Sequence, residues 1–430
     1  MASTLVLCVL CVSQFAAVIA VNLYFLTPAL YCLFVRNMDI PEFSAPPAES
    51  VDIAVVGLAC RFPGVGSEKK FWDLLSSKRC TRFRSLFLAE NSVDLLVAAF
   101  AKIPESRYNV DAFHHAAGEK LNTLSALGAH CLDENVAAFD APFFGITAQE
   151  ATAMDPTARM LLEVTYEALE NAGLPMEKLA GSDTSCYVGC FTRDYYEMLM
   201  RDSETAPMYA ATGTGFSLLS NRISWFYDLR GPSMTLDTAC SSSLVGLHLA
   251  CQGLRNGEAK VALVSGANLI LCPDLAMWLS NLRMTSTDGL SRSFGDAVTG
   301  YGRGEGIATL VLKPMRDALR DGDSIRAVIR GTGVNQDGHT TGITVPNRDA
   351  QMDLIRSTYR CAGLDVFQTA YFEAHGTGTA VGDPLELGAV YQAMSTARTP
   401  DNPLYVGSVK SNVSPDFSIT PRCSLWRNDL

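Results

Sequence analysis

One cysteine stands where a thiol can attack. In Asp237-Thr238-Ala239-Cys240-Ser241-Ser242-Ser243-Leu244 it lies between an apolar strand candidate, Met234 to Leu236, and the opening turn of a helix candidate. Leu244, Leu247, His248, Cys251 and Leu254 follow at helical spacing. The free N–H groups and dipole of such a turn favour a thiolate and lower its pKa. Cys240 is therefore a candidate nucleophile; the competing reading is a small core residue, since free cysteine is among the most buried types. A second segment, Tyr371-Phe372-Glu373-Ala374-His375-Gly376-Thr377-Gly378-Thr379, repeats the design, an apolar strand running into a loop that offers His375 beside flexible glycines. It pairs a base with the thiol. A lone histidine is more often structural, and Gly-Thr-Gly-Thr alone reads equally as an ordinary turn.

The elements that must position these residues are legible as apolar strand candidates at Ile53 to Val56, Tyr187 to Val188, Val261 to Val264, Ile307 to Leu312, Ile325 to Ile329 and Tyr405 to Val406. Helical stretches separate several of them, which predicts an α/β class. One helical region is well marked. Thr147 and Glu150 form a candidate capping box, Pro156 opens a second segment, and Gly173 with Pro175 closes it. Its Leu161, Val164, Thr165 and Ala168 make one face, read as core packing without chemistry.

Taken together, the Cys240 and His375 segments resemble the active-site motifs of the beta-ketoacyl synthases, specifically the ketosynthase domain of modular or fungal-type iterative type I polyketide synthases. The resemblance runs from about Val51 to Asn412. It includes Ala54-Val55-Val56-Gly57-Leu58-Ala59-Cys60-Arg61-Phe62-Pro63-Gly64, Met154-Asp155-Pro156, Gly231-Pro232-Ser233, Gly302-Arg303-Gly304-Glu305-Gly306 and Val409-Lys410-Ser411-Asn412. It implies a thiolase-like layered fold of two related α/β halves, usually in a homodimer; sequence identity alone does not expose the duplication. It also implies roles: Cys240 takes the acyl chain, His375 is one of two histidines that stabilise an enolate, and Lys410 orders the site. Thr377 and Thr379 would lie along the path of a phosphopantetheine arm delivered by an acyl carrier protein, so no cofactor is expected within the domain itself. Glu305 is assigned a structural role, and the glycine-rich stretch Gly300 to Gly306 becomes a turn near the site.

Composition sets outer bounds. The chain has 430 residues, with 48% hydrophobic and 18% charged side chains, enough for a substantial core or a pair of fused subdomains. A formal net charge of -11 and a pI near 5.1 argue against a nucleic-acid surface, which needs a basic face. An acidic carrier protein would need a local basic patch, for which Arg61 and Arg303 are candidate contributors. The thirteen cysteines are scattered, and only Cys8-x-x-Cys11 has a paired spacing, inside an apolar run. They read as reduced cytoplasmic thiols. There is no G-x-x-x-x-G-K-[ST] loop, no G-x-G-x-x-G and no H-E-x-x-H, and His114-His115 is too isolated to suggest a metal.

Three segments fit the resemblance poorly. Residues 1–35 carry no charged side chain, and Leu5 to Leu26 is apolar enough to cross a bilayer, for which roughly 20 residues suffice. Arg36, the first positive charge, weakly favours a cytoplasmic C-terminal side. A signal peptide ending near Ala20 and a misassigned start are rival readings. Residues 1–50 are thus a leader with a proline-containing linker (Pro41, Pro46, Pro47), expected to be dispensable for the fold of the domain at 51–413. The second misfit is an unfamiliar apolar insertion at about 80–103. The third is a divergent tail at 414–430: where the family continues into Gly-His, Val413 is followed by Ser414-Pro415-Asp416, and all six histidines lie at or before position 375. The chain also stops before the family's final glycine-rich segment, which leaves the second half incomplete. Three function classes follow: an acyltransferase of the polyketide or fatty-acid type, a catalytically impaired fragment acting in dimerisation or carrier binding, and a cysteine hydrolase, disfavoured because no protease-like motif surrounds Cys240.

Overall fold

The structure is a computed structural model. It describes residues 5–12 and 15–23 at the level of the backbone, then 51–76, 100–115 and 120–413 apart from 297, 396–397 and 400–401. The expected linker, most of the insertion and the tail at 414–430 lie outside the described residues.

Runs of aliphatic residues form the centre. Twelve strands occur among the described residues: β1 (Leu5–Val12), β2 (Phe15–Leu23), β3 (Ile53–Arg61), β4 (Ala101–Lys102), β5 (Gly128–Ala129), β6 (Ser185–Gly189), β7 (Ser233–Leu236), β8 (Ala262–Asn268), β9 (Gly306–Pro314), β10 (Ala327–Gln336), β11 (Thr369–Glu373) and β12 (Tyr405–Gly407). β4 and β5 form a small pair of their own; the other ten make one array in the order β12-β11-β1-β2-β10-β3-β9-β8-β6-β7. The strands anticipated from sequence are all present. β3, β6, β8 and β9 are buried almost throughout, which is why they read as continuous apolar runs and not as alternating ones.

The helices obey their local signals. Thr147 caps the helix Ala148–Ala153 by accepting from the Glu150 amide, and Asp155 caps the next one, Pro156–Ala172, with proline in its first turn. Gly173 ends that helix in the left-handed conformation, at φ +68°. Leu161, Val164, Thr165 and Ala168 are fully buried, as expected of a core face.

The duplication invisible in the sequence is plain in the pairing. Outward from the central antiparallel pair β3–β10, the first half runs β3-β9-β8-β6-β7 and the second β10-β2-β1-β11-β12. In each half the successive pairings are antiparallel, antiparallel, parallel and parallel. The helix Ser242–Asn256 touches β6 and β8 of the first half and also β10 and β2 of the second, so the array folds over it. His248 of this helix and Thr332 of β10 share a hydrogen bond at 2.9 Å. One apolar cluster consequently draws Leu244, Leu247 and Leu254 together with Ile329, Tyr371, Val409 and Val413.

One expectation needs correction here. The leader does not form the bilayer-crossing helix anticipated for Leu5 to Leu26; its described residues are two strands, and among the described residues no helix is long and apolar enough to cross a membrane. An uncharged apolar run suits a strand buried on both faces as well as it suits a membrane helix, and periodicity alone does not separate them. The insertion reaches the described structure only at its end, where Phe100 packs edge-on to His130, β4 pairs with β5 and Ile103 is buried.

Candidate functional site

The nucleophile segment is a strained elbow. β7 ends at Leu236, and Ala239 is forced to φ +53°, a left-handed conformation that costs a non-glycine residue about 1–2 kcal/mol. Local bonds hold it: the Ala239 amide donates to Asp237 at 3.1 Å, the Ser242 hydroxyl donates to the Ala239 carbonyl at 2.6 Å, and the Thr238 amide donates to the Ser242 hydroxyl at 2.8 Å. Cys240 follows directly and leads into the helix Ser242–Asn256, whose first N–H groups lack intrahelical partners. The helix start lies close on β6: a Cβ at Gly189 would come within 2.2 Å of the Ser243 amide nitrogen, so only glycine permits this approach. Cys240 is partly accessible, whereas Cys60, Cys131, Cys186, Cys190, Cys251 and Cys272 are buried. Burial pushes the thiols of Cys60, Cys186, Cys190 and Cys251 up to about 12. Of the described cysteines, Cys240 and the exposed Cys361 are the accessible ones.

His375 and Lys410 come from the neighbouring parallel strands β11 and β12. After β11 the Ala374 amide donates to the Gly407 carbonyl at 2.8 Å, and Ser408 Oγ donates to the His375 carbonyl at 3.2 Å, which ties the two exits together. The His375 and Gly376 amides donate to the two carboxylate oxygens of Glu386, at 2.6 and 2.8 Å. The carboxylate of Asp383 accepts from the amides of Gly378, Thr379 and Phe294. Gly378 sits at φ +79°, with room for no Cβ against the Arg292 backbone. Glu373 accepts from the Val409 amide at 2.8 Å and the Tyr371 hydroxyl at 2.7 Å.

The electrostatics follow from burial. Lys410 is 5% exposed and Glu373 is 1% exposed. Desolvation pushes the carboxyls of Glu373 and Glu386 up to about 7, and the charge of Lys410 opposes this in both. Burial, and then the same Lys410 charge, hold His375 well below its ordinary value, so its ring is neutral at physiological pH. A neutral imidazole offers one N–H donor and one acceptor nitrogen, suited to meeting developing negative charge. Cys240 packs on the same apolar cluster that contains Val409 and Val413, the residues bracketing Lys410. Cys240 of the first half and the residues flanking Lys410 of the second thus share one apolar cluster, and His375 follows β11, whose Tyr371 belongs to the same cluster.

Sequence reasoning missed Glu373, Asp383 and Glu386, which anchor this loop. The available signals were an acid inside the apolar strand Tyr371-Phe372-Glu373 and two acids three apart in Asp383-Pro384-Leu385-Glu386. Thr377 is buried and Thr379 partly so, with their hydroxyls 3.2 Å apart. The glycine-rich stretch does border the loop, through the Gly300 amide donating to the Gly378 carbonyl at 3.2 Å. Glu305 is structural: it is fully buried, paired with Arg107 at 2.8 Å, and accepts from the amides of Leu132 and Ile270. The basic patch proposed for Arg61 and Arg303 is not formed. Arg61 is engaged by Glu134 and Glu167, and Arg303 is buried beside the Phe191 ring.

Comparison with known proteins agrees with this geometry. The beta-ketoacyl synthase N-terminal domain model matches residues 50–318, and the C-terminal domain model matches residues 326–414. The highly reducing polyketide synthase Preu1 of Preussia isomera is 67% identical over 363 residues, covering 84% of this chain and 14% of that protein. A highly reducing polyketide synthase of Didymella fabae is 50% identical over 375 residues, covering 87% and 19%. The chain therefore spans less than a fifth of the length of either relative. Among solved structures, the ketosynthase from module 6 of the bacillaene synthase from Bacillus subtilis 168 superposes with a TM-score of 0.72 at 36% identity, covering 84% of this chain and 57% of that one. The oxazolomycin ketosynthase domain OzmH KS7 of Streptomyces albus JA3453 gives 0.75 at 34%, covering 84% and 59%. The thiolase-like fold is that of a ketosynthase domain, and the chain belongs to the beta-ketoacyl synthase family.

Proposed function

We propose that the chain performs a decarboxylative condensation of an acyl thioester with malonyl thioester, both carried on the phosphopantetheine arm of an acyl carrier protein, with Cys240, His375 and Lys410 as its working residues. The observation that carries the reading is the placing of one accessible thiol at a strained helix entrance and a neutral histidine beside a buried lysine, on elements that share a core.

In the first step the Cys240 thiolate attacks the acyl carbonyl. A new C–S bond forms, the bond to the pantetheine sulfur breaks, and that thiolate leaves. Malonyl thioester then loses carbon dioxide, and the electron pair of the broken C–C bond becomes an enolate. The neutral His375 N–H donates to the enolate oxygen as charge grows there. The enolate carbon attacks the acyl-Cys240 carbonyl, a C–C bond forms, and the Cys240 thiolate is released for the next cycle. Burial, and then the charge of Lys410, keep His375 neutral, a state that still offers one N–H to the enolate oxygen. Thr377 and Thr379 stand beside the histidine on the path proposed for the pantetheine arm. A homodimer is the assembly that the family resemblance suggests.

The test supplies short acyl and malonyl pantetheine thioesters. Expected are a 3-ketoacyl thioester and carbon dioxide in equal amounts, and neither with Cys240→Ala. Hydrolysis of the acyl thioester without C–C bond formation would instead mark a cysteine hydrolase.

A second reading, an impaired condensing enzyme, rests on one observation: Asn412-Val413 is followed by Ser414-Pro415 where the family resemblance expects the Gly-His that supplies its second donor. Restoring the pattern with Ser414→Gly and Pro415→His is expected to raise carbon dioxide release from malonyl thioester by about 10²- to 10³-fold, the usual worth of one such donor. An unchanged rate would dismiss the impairment.

A further inference from the structure

Residues 292–294 belong to no helix or strand, yet they meet both the histidine loop and the helix that begins at Lys410. We infer that Ser293 and Phe294 are positioning residues for the proposed condensation, a strap that fixes the His375 loop against the Lys410 helix. The inference rests on that reaction and deepens it, by naming side chains that act through His375 without touching substrate.

The backbone around His375 shows what the strap adds. The His375 and Gly376 amides donate to Glu386, and Ser408 Oγ donates to the His375 carbonyl at 3.2 Å. The fourth polar group, the Gly376 carbonyl, accepts from Ser293 Oγ. All four are therefore held, three by second-half residues and the last by a segment lying between β8 and β9 of the first half. Ser293 also grips the lysine side. The Ser411 hydroxyl donates to Ser293 Oγ at 2.8 Å, and the Ser293 amide donates to Ser411 Oγ at 3.3 Å. One serine thus ties the residue after the histidine to the residue after the lysine.

The flanking residues press on the same loop. The Phe294 amide donates to Asp383 at 2.8 Å, and that carboxylate also accepts from the amides of Gly378 and Thr379. The Phe294 ring packs on the cluster that contains Phe372 and Ala374, the latter adjacent to His375. It reaches Gly376 as well: a Cβ on that glycine would come within 3.0 Å of the ring and 2.7 Å of the Ser408 Cβ. At Gly378 the Arg292 backbone stands in the same relation, 2.6 Å from where a Cβ would be. Phe294 itself is held at φ +60°, a left-handed conformation that an aromatic residue keeps only where its surroundings impose it. Asp383, Gly376 and the second-half core are those surroundings. What depends on them is aim, since a misplacement of about 1 Å at a reacting group costs about 10²-fold in rate.

Full-length chains carrying Ser293→Ala, Ser293→Thr or Phe294→Leu test the strap. With malonyl pantetheine thioester, Ser293→Ala is expected to slow carbon dioxide release about tenfold, the worth of one neutral hydrogen bond, with KM unchanged. Ser293→Thr, which keeps the hydroxyl, is expected to restore most of the rate, and acyl transfer to Cys240 is expected to be unaffected in both. In a His375→Ala chain the Ser293→Ala change is expected to add no further loss, because the strap acts through His375. Additive losses, or an equal loss in acyl transfer, would overturn the inference. A second readout needs no turnover. The imidazole nitrogen signals of His375 in NMR spectra, identified by their disappearance in His375→Ala, are expected to move in both Ser293→Ala and Phe294→Leu. Signals unchanged in both variants would overturn the inference, whatever the chain condenses. Signals that move in a chain releasing no carbon dioxide would refute the proposed reaction and still support the strap as the device that positions His375.

Discussion

The two halves of the sheet follow one plan of pairing but are built and used differently. The first is drawn from one contiguous stretch, 53–314, and delivers a thiol at the exit of β7. The second combines 327–407 with the leader and delivers His375 and Lys410 at the exits of β11 and β12. Cys240 and Lys410 occupy matching positions, each just after the outermost strand of its half and at the head of a helix. On the proposed reaction one half therefore presents the nucleophile where the other presents a buried cation beside the neutral histidine. A duplicated frame with unlike residues at equivalent points would, on the proposed reaction, give covalent capture to one half and charge stabilisation to the other.

That division is broken most sharply at His375. His375→Ala is expected to slow carbon dioxide release from malonyl thioester by about 10²- to 10³-fold while leaving acyl transfer to Cys240 near its original rate, as read by intact mass over time. Equal losses in both steps would merge the two roles. A smaller contrast lies among the thiols themselves. Brief iodoacetamide treatment at neutral pH should label Cys240 at least tenfold faster than Cys251, which is fully buried with its thiol pushed up to about 12. The exposed Cys361 serves as the reference for an ordinary accessible thiol. Comparable labelling of Cys240 and Cys251 would remove the special standing of the elbow.

The smallest effect concerns the second half alone. The carboxyl of Glu386 rises in the fold from 4.5 to about 7, so the folded state binds more protons than the unfolded one between those values. Its contribution is present below about pH 4.5 and is lost as pH rises through about 7. His375, held below its ordinary value, has the opposite sign: its contribution is present above roughly pH 6.5 and is lost as pH falls below it. Glu386→Gln should therefore remove a downward slope of stability with rising pH, worth on the order of 1–3 kcal/mol, and leave the His375 rise. Denaturant titrations from pH 5 to 8 read this, and an unchanged slope would place the titration elsewhere.

How far the sequence carried this account varies by element. Thr147, Asp155, Pro156 and Gly173 mark helix ends through bonds to their own backbone neighbours, so those ends are local and readable. Cys240 and His375 stand out because a strand-to-loop transition is itself local. The duplication was hidden because it resides in pairings between residues hundreds of positions apart, such as Ala54 with Val328. The leader misled for a related reason: a strand clasped on both sides and a membrane helix demand the same apolar composition. Glu373 and Glu386 escaped notice because their value depends on which backbone amides the fold turns toward them. Arg61 and Arg303 read as surface charges because nothing local announces the acids that engage the first or the burial of the second.

The division of labour is tested most directly by mapping the acyl group. Full-length chain, Cys240→Ala and His375→Ala are each incubated with a short acyl pantetheine thioester, digested and read by peptide mass spectrometry. The account predicts a stoichiometric acyl adduct on Cys240 in the unmodified chain and in His375→Ala, and none in Cys240→Ala. An adduct on another cysteine, or one that survives the loss of Cys240, would contradict it.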